Sequence, residues 1–419
     1  MEKLVINGAK KLSGVVSVHG SKNSTLPIIA ASILCNAEII LHNCPNLTDI
    51  KAAINILKYL GCNIKREEDT LIINSENINT CEIPENLMRE MRSSVVFLGA
   101  LLSRMGKAKI SAPGGCEIGL RPIDLHLKAM REMGAIIEEE NGNLCCLVDG
   151  RMKGAEITLA FPSVGATENI ILASTMAEGR TTIINAAREP EIKNLADFLN
   201  MCGAKIRFAG ESTVIIDGVK KLHGAEFHII SDRIVASTYM ASAAMTGGEL
   251  EITDFPVSDI LPVLPVFNSI GCRISSEKTR LKIKAPKKLS TMGTVRTMPF
   301  PGFPTDFQAP AMAMASVCNG TSIFIETIFE SRYKHVPELK RMGANISIEG
   351  SVAVVQGVRK LKAANVYAED LRGGIALVLA SLSAEGTSEV FNLNHIDRGY
   401  EKIEEVFRSL GADIKREVN

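Results

Sequence analysis

The 419-residue sequence predicts an α/β protein of two domains, each built from three βαβαββ repeats, and three observations carry that prediction. A Gly-centred phrase returns six times along the chain. The same order of strands and helices follows each return. The first residues of the chain match the closing strand that the sixth copy lacks.

The phrase reads Leu60-Gly61-Cys62-Asn63-Ile64, Met133-Gly134-Ala135-Ile136-Ile137 and Cys202-Gly203-Ala204-Lys205-Ile206 in its first three copies. It returns as Ile270-Gly271-Cys272-Arg273-Ile274, Met342-Gly343-Ala344-Asn345-Ile346 and Leu410-Gly411-Ala412-Asp413-Ile414. Successive glycines stand 68 to 73 residues apart, a period that marks an internal repeat. After Gly203 come two short strand patterns, 204–208 and 213–217, then the turn Lys220-Lys221-Leu222-His223-Gly224 and a further strand. An apolar helix follows over 234–245, stopped by Gly247-Gly248. A strand over 249–253 and a second helix lead back to the phrase. Segments such as 170–176 and 375–382 are apolar nearly all round, which places them between sheets.

The sixth copy ends without its closing strand, and Leu4-Val5-Ile6-Asn7-Gly8 matches Val214-Ile215-Ile216-Asp217-Gly218. The N-terminal strand is therefore expected to complete the sixth repeat. One domain should span 22–229, and the other 1–21 plus 230–419, with two chain crossings between them.

Composition narrows the function. Lys plus Arg and Asp plus Glu both number 47, so no net field points to nucleic acid or an anionic membrane as a partner. Ten cysteines are too sparse for a disulfide scaffold, and no CxxC pair suggests zinc. Cys145 and Cys146 lie in a strand-like run and read as packing residues. The start lacks a signal-peptide core, and no apolar run reaches about eighteen residues. A reduced, cytoplasmic protein is expected.

The starts of the first helix in each repeat carry the chemistry. They fall at Lys22-Asn23, Arg92-Ser93, Val164-Gly165, Asp232-Arg233, Thr305-Asp306 and Leu371-Arg372. Asp and Ser at such places are ordinary N-caps. Lys22, Arg92 and Arg372 fit that reading badly, because a cation at a helix N-terminus opposes the dipole. An anion bound there by backbone N–H groups and side chains would reconcile them. Arg121, Arg332 and Arg398 flank the same frame, and arginine forks suit carboxylate and phosphate. Taken singly, each is equally an ordinary surface charge.

The stretch Pro113-Gly114-Gly115-Cys116-Glu117-Ile118-Gly119-Leu120-Arg121-Pro122-Ile123-Asp124-Leu125-His126 reads as a loop, because its glycines and prolines exclude a long helix. A free Cys is more often buried packing than chemistry. The double glycine before Cys116 and the lack of an apolar run around it favour a reactive thiol here.

These residues together resemble the UDP-N-acetylglucosamine 1-carboxyvinyltransferase family of enolpyruvyl transferases, end to end. The resemblance rests on Gly20-Ser21-Lys22-Asn23, the 113–126 loop, Ser163-Val164-Gly165-Ala166-Thr167 and Ala187-Arg188-Glu189-Pro190-Glu191. It rests equally on Pro304-Thr305-Asp306, Asp370-Leu371-Arg372 and His395-Ile396-Asp397-Arg398-Gly399-Tyr400. It implies an inside-out α/β barrel of two three-repeat domains with the substrate cleft between them. The implied reaction carries the enolpyruvyl group of phosphoenolpyruvate to the 3-hydroxyl of UDP-N-acetylglucosamine and releases phosphate, beginning peptidoglycan precursor synthesis.

By the same resemblance Lys22, Arg121 and Arg398 hold phosphate, and Arg332 and Arg372 hold carboxylate. Cys116 is the general acid and Asp306 the candidate base, with Lys22 and Arg398 counted as catalytic for the leaving phosphate. Asn23, Arg92, Asp306 and Ile328 face the sugar. Arg121, Pro122, Ile123, Asp124 and Leu125 form the uridine pocket, and Ser163, Val164 and Gly165 the diphosphate site. Phe161 departs from a lysine that some family members carry near the diphosphate. No cofactor or metal is implied, and a monomer is expected. Two rivals stand beside this reading. Shikimate-3-phosphate enolpyruvyl transfer shares Gly20-Ser21-Lys22, but Cys116 and Asn23 speak against it. A non-catalytic repeat scaffold would have no use for matched cations at helix starts.

Overall fold

The computed structural model describes residues 2–91, 94–111 and 123–418. The described residues between 20 and 230 form one compact unit, and residues 2–19 with 231–418 form another. Each has a hydrophobic core of its own, running from Leu26 to Ile229 in the first and from Leu4 to Ile414 in the second.

Among the described residues six four-stranded sheets, three in each unit, share one plan. Around Thr213–Asp217, antiparallel neighbours are Ile206–Ala209 on one side and Arg180–Ile184 on the other. Glu156–Thr158 then joins Arg180–Ile184 in parallel. A parallel step needs a crossover, and the helix Val164–Thr175 supplies it. Alternation sets the faces. Val214 and Ile216 are buried while their neighbours are less so, the pattern of a sheet packed on one side.

The N-terminal strand Glu2–Asn7 lies antiparallel between Thr387–Phe391 and Asp413–Val418, with Leu4 opposite Val390 and Arg416. It fills the place that Thr213–Asp217 holds in its own sheet, so the sixth repeat is closed by the start of the chain. Near the crossings, Ser13–Ser17 pairs in parallel with Glu249–Thr253, and Ala225–His228 with Glu38–His42. The chain thus changes unit between an edge strand and the helix that follows it.

Each unit keeps three helices at its centre. They are Lys22–Ala31, Phe97–Met105 and Val164–Thr175 in one, and Arg233–Thr246, Gln308–Ala315 and Leu371–Ser383 in the other. Every residue from Ala166 to Thr175 and from Leu371 to Leu382 is buried. Second helices such as Thr48–Tyr59 bury one stripe, including Ile50, Ala53, Ile56 and Leu57, and expose Lys51, Asn55 and Lys58. Helices inside and sheets outside make each unit an inside-out α/β barrel. The six phrase glycines follow the second helices at φ between 90° and 101°, a left-handed turn that a side chain would strain. Among the described residues no helix is long and apolar enough to cross a membrane.

Candidate active site

In the unit of residues 231–418 the helix starts converge on a carboxylate. Pro304 leads into a short 3-10 turn, Thr305–Phe307, which presents Asp306. Arg332 Nη2 donates to Asp306 Oδ1 at 2.9 Å, and Arg372 Nη2 donates to Oδ2 at 2.9 Å. The two arginine side chains are 3% and 4% exposed, whereas Asp306 keeps 29% of its side chain in solvent. Two buried cations therefore meet one partly accessible anion.

Arg372 can do this because it does not cap its own helix. Asp370 accepts from the N–H groups of Arg372 and Gly373 at 2.9 and 3.0 Å, leaving the guanidinium free to turn toward Asp306. Burial alone would weaken the charge on Arg372; Asp306, Tyr400 and Asp232 outweigh it and hold the guanidinium above its ordinary range. Arg372 Nη1 also donates to the Tyr400 hydroxyl at 3.4 Å, and that hydroxyl lies 2.9 Å from Thr238 Oγ1. Burial pushes the Tyr400 hydroxyl up, so it stays neutral beside the cation.

Glycines bring the Arg398 turn against this helix start. A Cβ on Gly399 would stand 2.8 Å from Leu371 Cδ2, and one on Gly374 would stand 2.8 Å from Ile396 Cγ1. Arg398 is half-buried there. Its neighbour Asp397 is gripped bidentately by Arg416 at 2.7 and 2.9 Å, from the strand Asp413–Val418. His335 is buried between Arg332 and Asp370, and among the described residues neither ring nitrogen has a hydrogen-bond partner. Burial chiefly depresses it, to about 4, so it is a neutral imidazole at pH 7. Ile328 is held through its N–H, which donates to Glu326 Oε1 at 2.8 Å.

The other unit assembles the remaining described candidates at two helix starts. Ser21 caps Lys22–Ala31 by accepting from Ser24 N at 3.3 Å, so Lys22 again is not the cap. Lys22 Nζ reaches the buried Asp49 at 3.4 Å, and Asn23 follows it half-buried. Ser163 caps Val164–Thr175 through Ala166 N at 3.3 Å. Gly165 lies against His126, whose Cε1 would be 3.3 Å from a Cβ there. Asn169 Nδ2 donates to His126 Nδ1 at 2.9 Å. His126 sits in the helix Asp124–Glu132, so it ties Ile123, Asp124 and Leu125 to Ser163, Val164 and Gly165. Phe161 is 41% exposed just before that cap.

Cys116, Arg92, Arg121 and Pro122 lie outside the described residues. Glu326, His335 and Asp49 carry no sequence signal; His335 and Asp49 come into view through burial beside Arg332 and Lys22, and Glu326 through its contacts with Thr305 and Ile328. Chemically, the Asp306 cluster can bind a carboxylate in place of its own aspartate, and two capped helix starts in the other unit can face anions.

The EPSP synthase family, described as 3-phosphoshikimate 1-carboxyvinyltransferase, matches residues 6–407. The chain is 50% identical over 416 residues to UDP-N-acetylglucosamine 1-carboxyvinyltransferase 2 of Caldanaerobacter subterraneus subsp. tengcongensis, covering 99% of this chain and 100% of that one. It is 46% identical over 416 residues to UDP-N-acetylglucosamine 1-carboxyvinyltransferase of Acinetobacter baylyi, at 99% and 100% coverage. Among solved structures, the enolpyruvyl transferase NikO from Streptomyces tendae superposes with a TM-score of 0.90 at 24% identity, covering 99% of this chain and 98% of that one. EPSP synthase from Acinetobacter baumannii gives 0.77 at 17% identity, with both chains fully covered.

Proposed function

The chain belongs to the EPSP synthase family of enolpyruvyl transferases, and from that premise we propose that it transfers the enolpyruvyl group of phosphoenolpyruvate to the 3-hydroxyl of UDP-N-acetylglucosamine. The product feeds peptidoglycan precursor synthesis. The observation that carries the reading is the Asp306 cluster: two buried guanidiniums whose shared anion is one partly exposed carboxylate.

Phosphoenolpyruvate brings its own carboxylate to such a pair. It takes over the Arg332 and Arg372 forks, and Asp306 is released to accept the proton of the sugar hydroxyl. Protonation of the methylene carbon, assigned to Cys116, makes the neighbouring carbon cation-like, and the hydroxyl oxygen bonds to it. Loss of a proton from the new methyl group then restores the double bond as the carbon–oxygen bond to phosphate breaks. Lys22, Arg121 and Arg398 hold the departing phosphate. Asn23, Arg92 and Ile328 bound the sugar; Arg121 to Leu125 and Ser163 to Gly165 bound the nucleotide, with Phe161 standing where some family members carry a lysine.

Phosphate release tests this. It should require both phosphoenolpyruvate and UDP-N-acetylglucosamine. Release that follows shikimate 3-phosphate instead would overturn the assignment of acceptor.

A further inference from the structure

We propose that Glu326 is a positioning residue for this transfer, an inference that rests on the reaction proposed above. Glu326 follows the strand Thr321–Ile325, and its own N–H donates to Ser351 O at 2.9 Å. Its side chain turns inward and is 4% exposed. Oε1 accepts from Thr297 Oγ1 at 3.0 Å, Thr305 Oγ1 at 3.2 Å, Ile328 N at 2.8 Å and Phe329 N at 3.2 Å. Oε2 accepts from Thr305 Oγ1 at 3.1 Å.

All of these donors are neutral. A carboxylate buried on neutral donors is costly to desolvate, and apolar filling of the same shape would avoid that cost. What the carboxylate supplies is direction: it fixes three separate segments around one point. Thr305 is held at both ends, because its carbonyl accepts from Arg332 Nε and Nη2 at 3.2 and 2.8 Å. Asp306 therefore leaves a backbone pinned through Thr305 by Glu326 on one side and Arg332 on the other. The same oxygen fixes Ile328 N, the element assigned to the sugar. Glu326 so sets the spacing between the base and the hydroxyl it must reach. A displacement of about 1 Å in such a pair can cost about a hundredfold in rate.

Thr305→Val tests this, since it keeps the shape of the side chain and removes the hydroxyl that Glu326 grips. The expected result is a fall in kcat of about tenfold to a hundredfold, with KM for both substrates within about twofold. Thr305→Ser should restore kcat. Glu326→Gln keeps an acceptor for Ile328 and Phe329, and combined with Thr305→Val it should cost no more than the worse single change. A purely structural role would lower the melting midpoint and leave kcat per folded molecule unchanged. That result, or single losses that multiply in the double variant, would overturn the inference. If the unaltered protein released no phosphate from the two substrates, the proposed reaction itself would fail. Normal turnover by both the unaltered protein and Thr305→Val would remove only the role of Glu326.

Discussion

Replacing Asp306 by alanine should separate two properties that usually fall together, stability and substrate affinity. Asp306 pairs with both Arg332 and Arg372 at 2.9 Å, and both arginines are almost fully buried. Removing one partner of a buried ion pair costs about 3–5 kcal/mol, because the remaining charge is stranded. Asp306 is 29% exposed, so water reaches its side of the cluster and the expected loss is nearer 2–3 kcal/mol. In a unit of roughly 200 residues that corresponds to a melting midpoint lower by about 4–12 °C. Phosphoenolpyruvate should recover most of the loss, since its carboxylate enters a clamp with no resident anion to displace. At a hundred times Kd, binding returns about 2.7 kcal/mol. The variant should therefore bind phosphoenolpyruvate more tightly than the unaltered protein while its turnover falls at least about a hundredfold. Calorimetric titration and thermal melting with and without phosphoenolpyruvate read both quantities. An unchanged midpoint together with weaker binding would refute the exchange of carboxylates.

Other consequences can be checked on the same preparation. An epoxide phosphonate that mimics phosphoenolpyruvate, such as fosfomycin, should alkylate Cys116 alone, as peptide mapping would show, and Cys116→Asp should escape. Burial pushes the thiols of Cys44, Cys62, Cys272 and Cys318 up to about 12, which keeps them protonated and unreactive. Arg398→Ala should lower turnover a hundred- to thousand-fold, about 2.7–4 kcal/mol, with an unchanged melting point, if the residue holds the leaving phosphate. His335 is depressed to about 4 in the fold, against 6.5 when unfolded. Unfolding then takes up a proton below pH 6.5, so stability is full above that pH and declines as pH falls toward 4. The decline should reach about 2 kcal/mol by pH 5, and His335→Leu should flatten that slope of denaturation midpoint against pH.

The fold was legible because each repeat restates it. A helix-ending glycine returns with the same neighbours, and Leu4-Val5-Ile6-Asn7-Gly8 repeats the strand pattern of 214–218 although its partners lie at the far end of the chain, in 387–391 and 413–418. Lys22 and Arg372 stood out because they oppose a helix dipole. The structure gives the reason: Ser21 and Asp370 do the capping. Glu326 and His335 were not legible. Glu326 sits beside Thr297 and Thr305 only through folding, 29 and 21 residues apart in sequence. His335 looks like any helix-flanking polar residue until its burial between Arg332 and Asp370 is seen. The cysteine loop, by contrast, stands out in the sequence while its described part begins only at Ile123.

Turnover in heavy water tests the central claim most directly. Protein, phosphoenolpyruvate and UDP-N-acetylglucosamine are mixed, and the sugar nucleotide product is read by mass and NMR. Addition followed by elimination predicts a 3-O-enolpyruvyl product, one phosphate released per transfer, and solvent deuterium in its vinyl methylene group. An unmodified sugar nucleotide, or a transferred group without deuterium, would contradict the account.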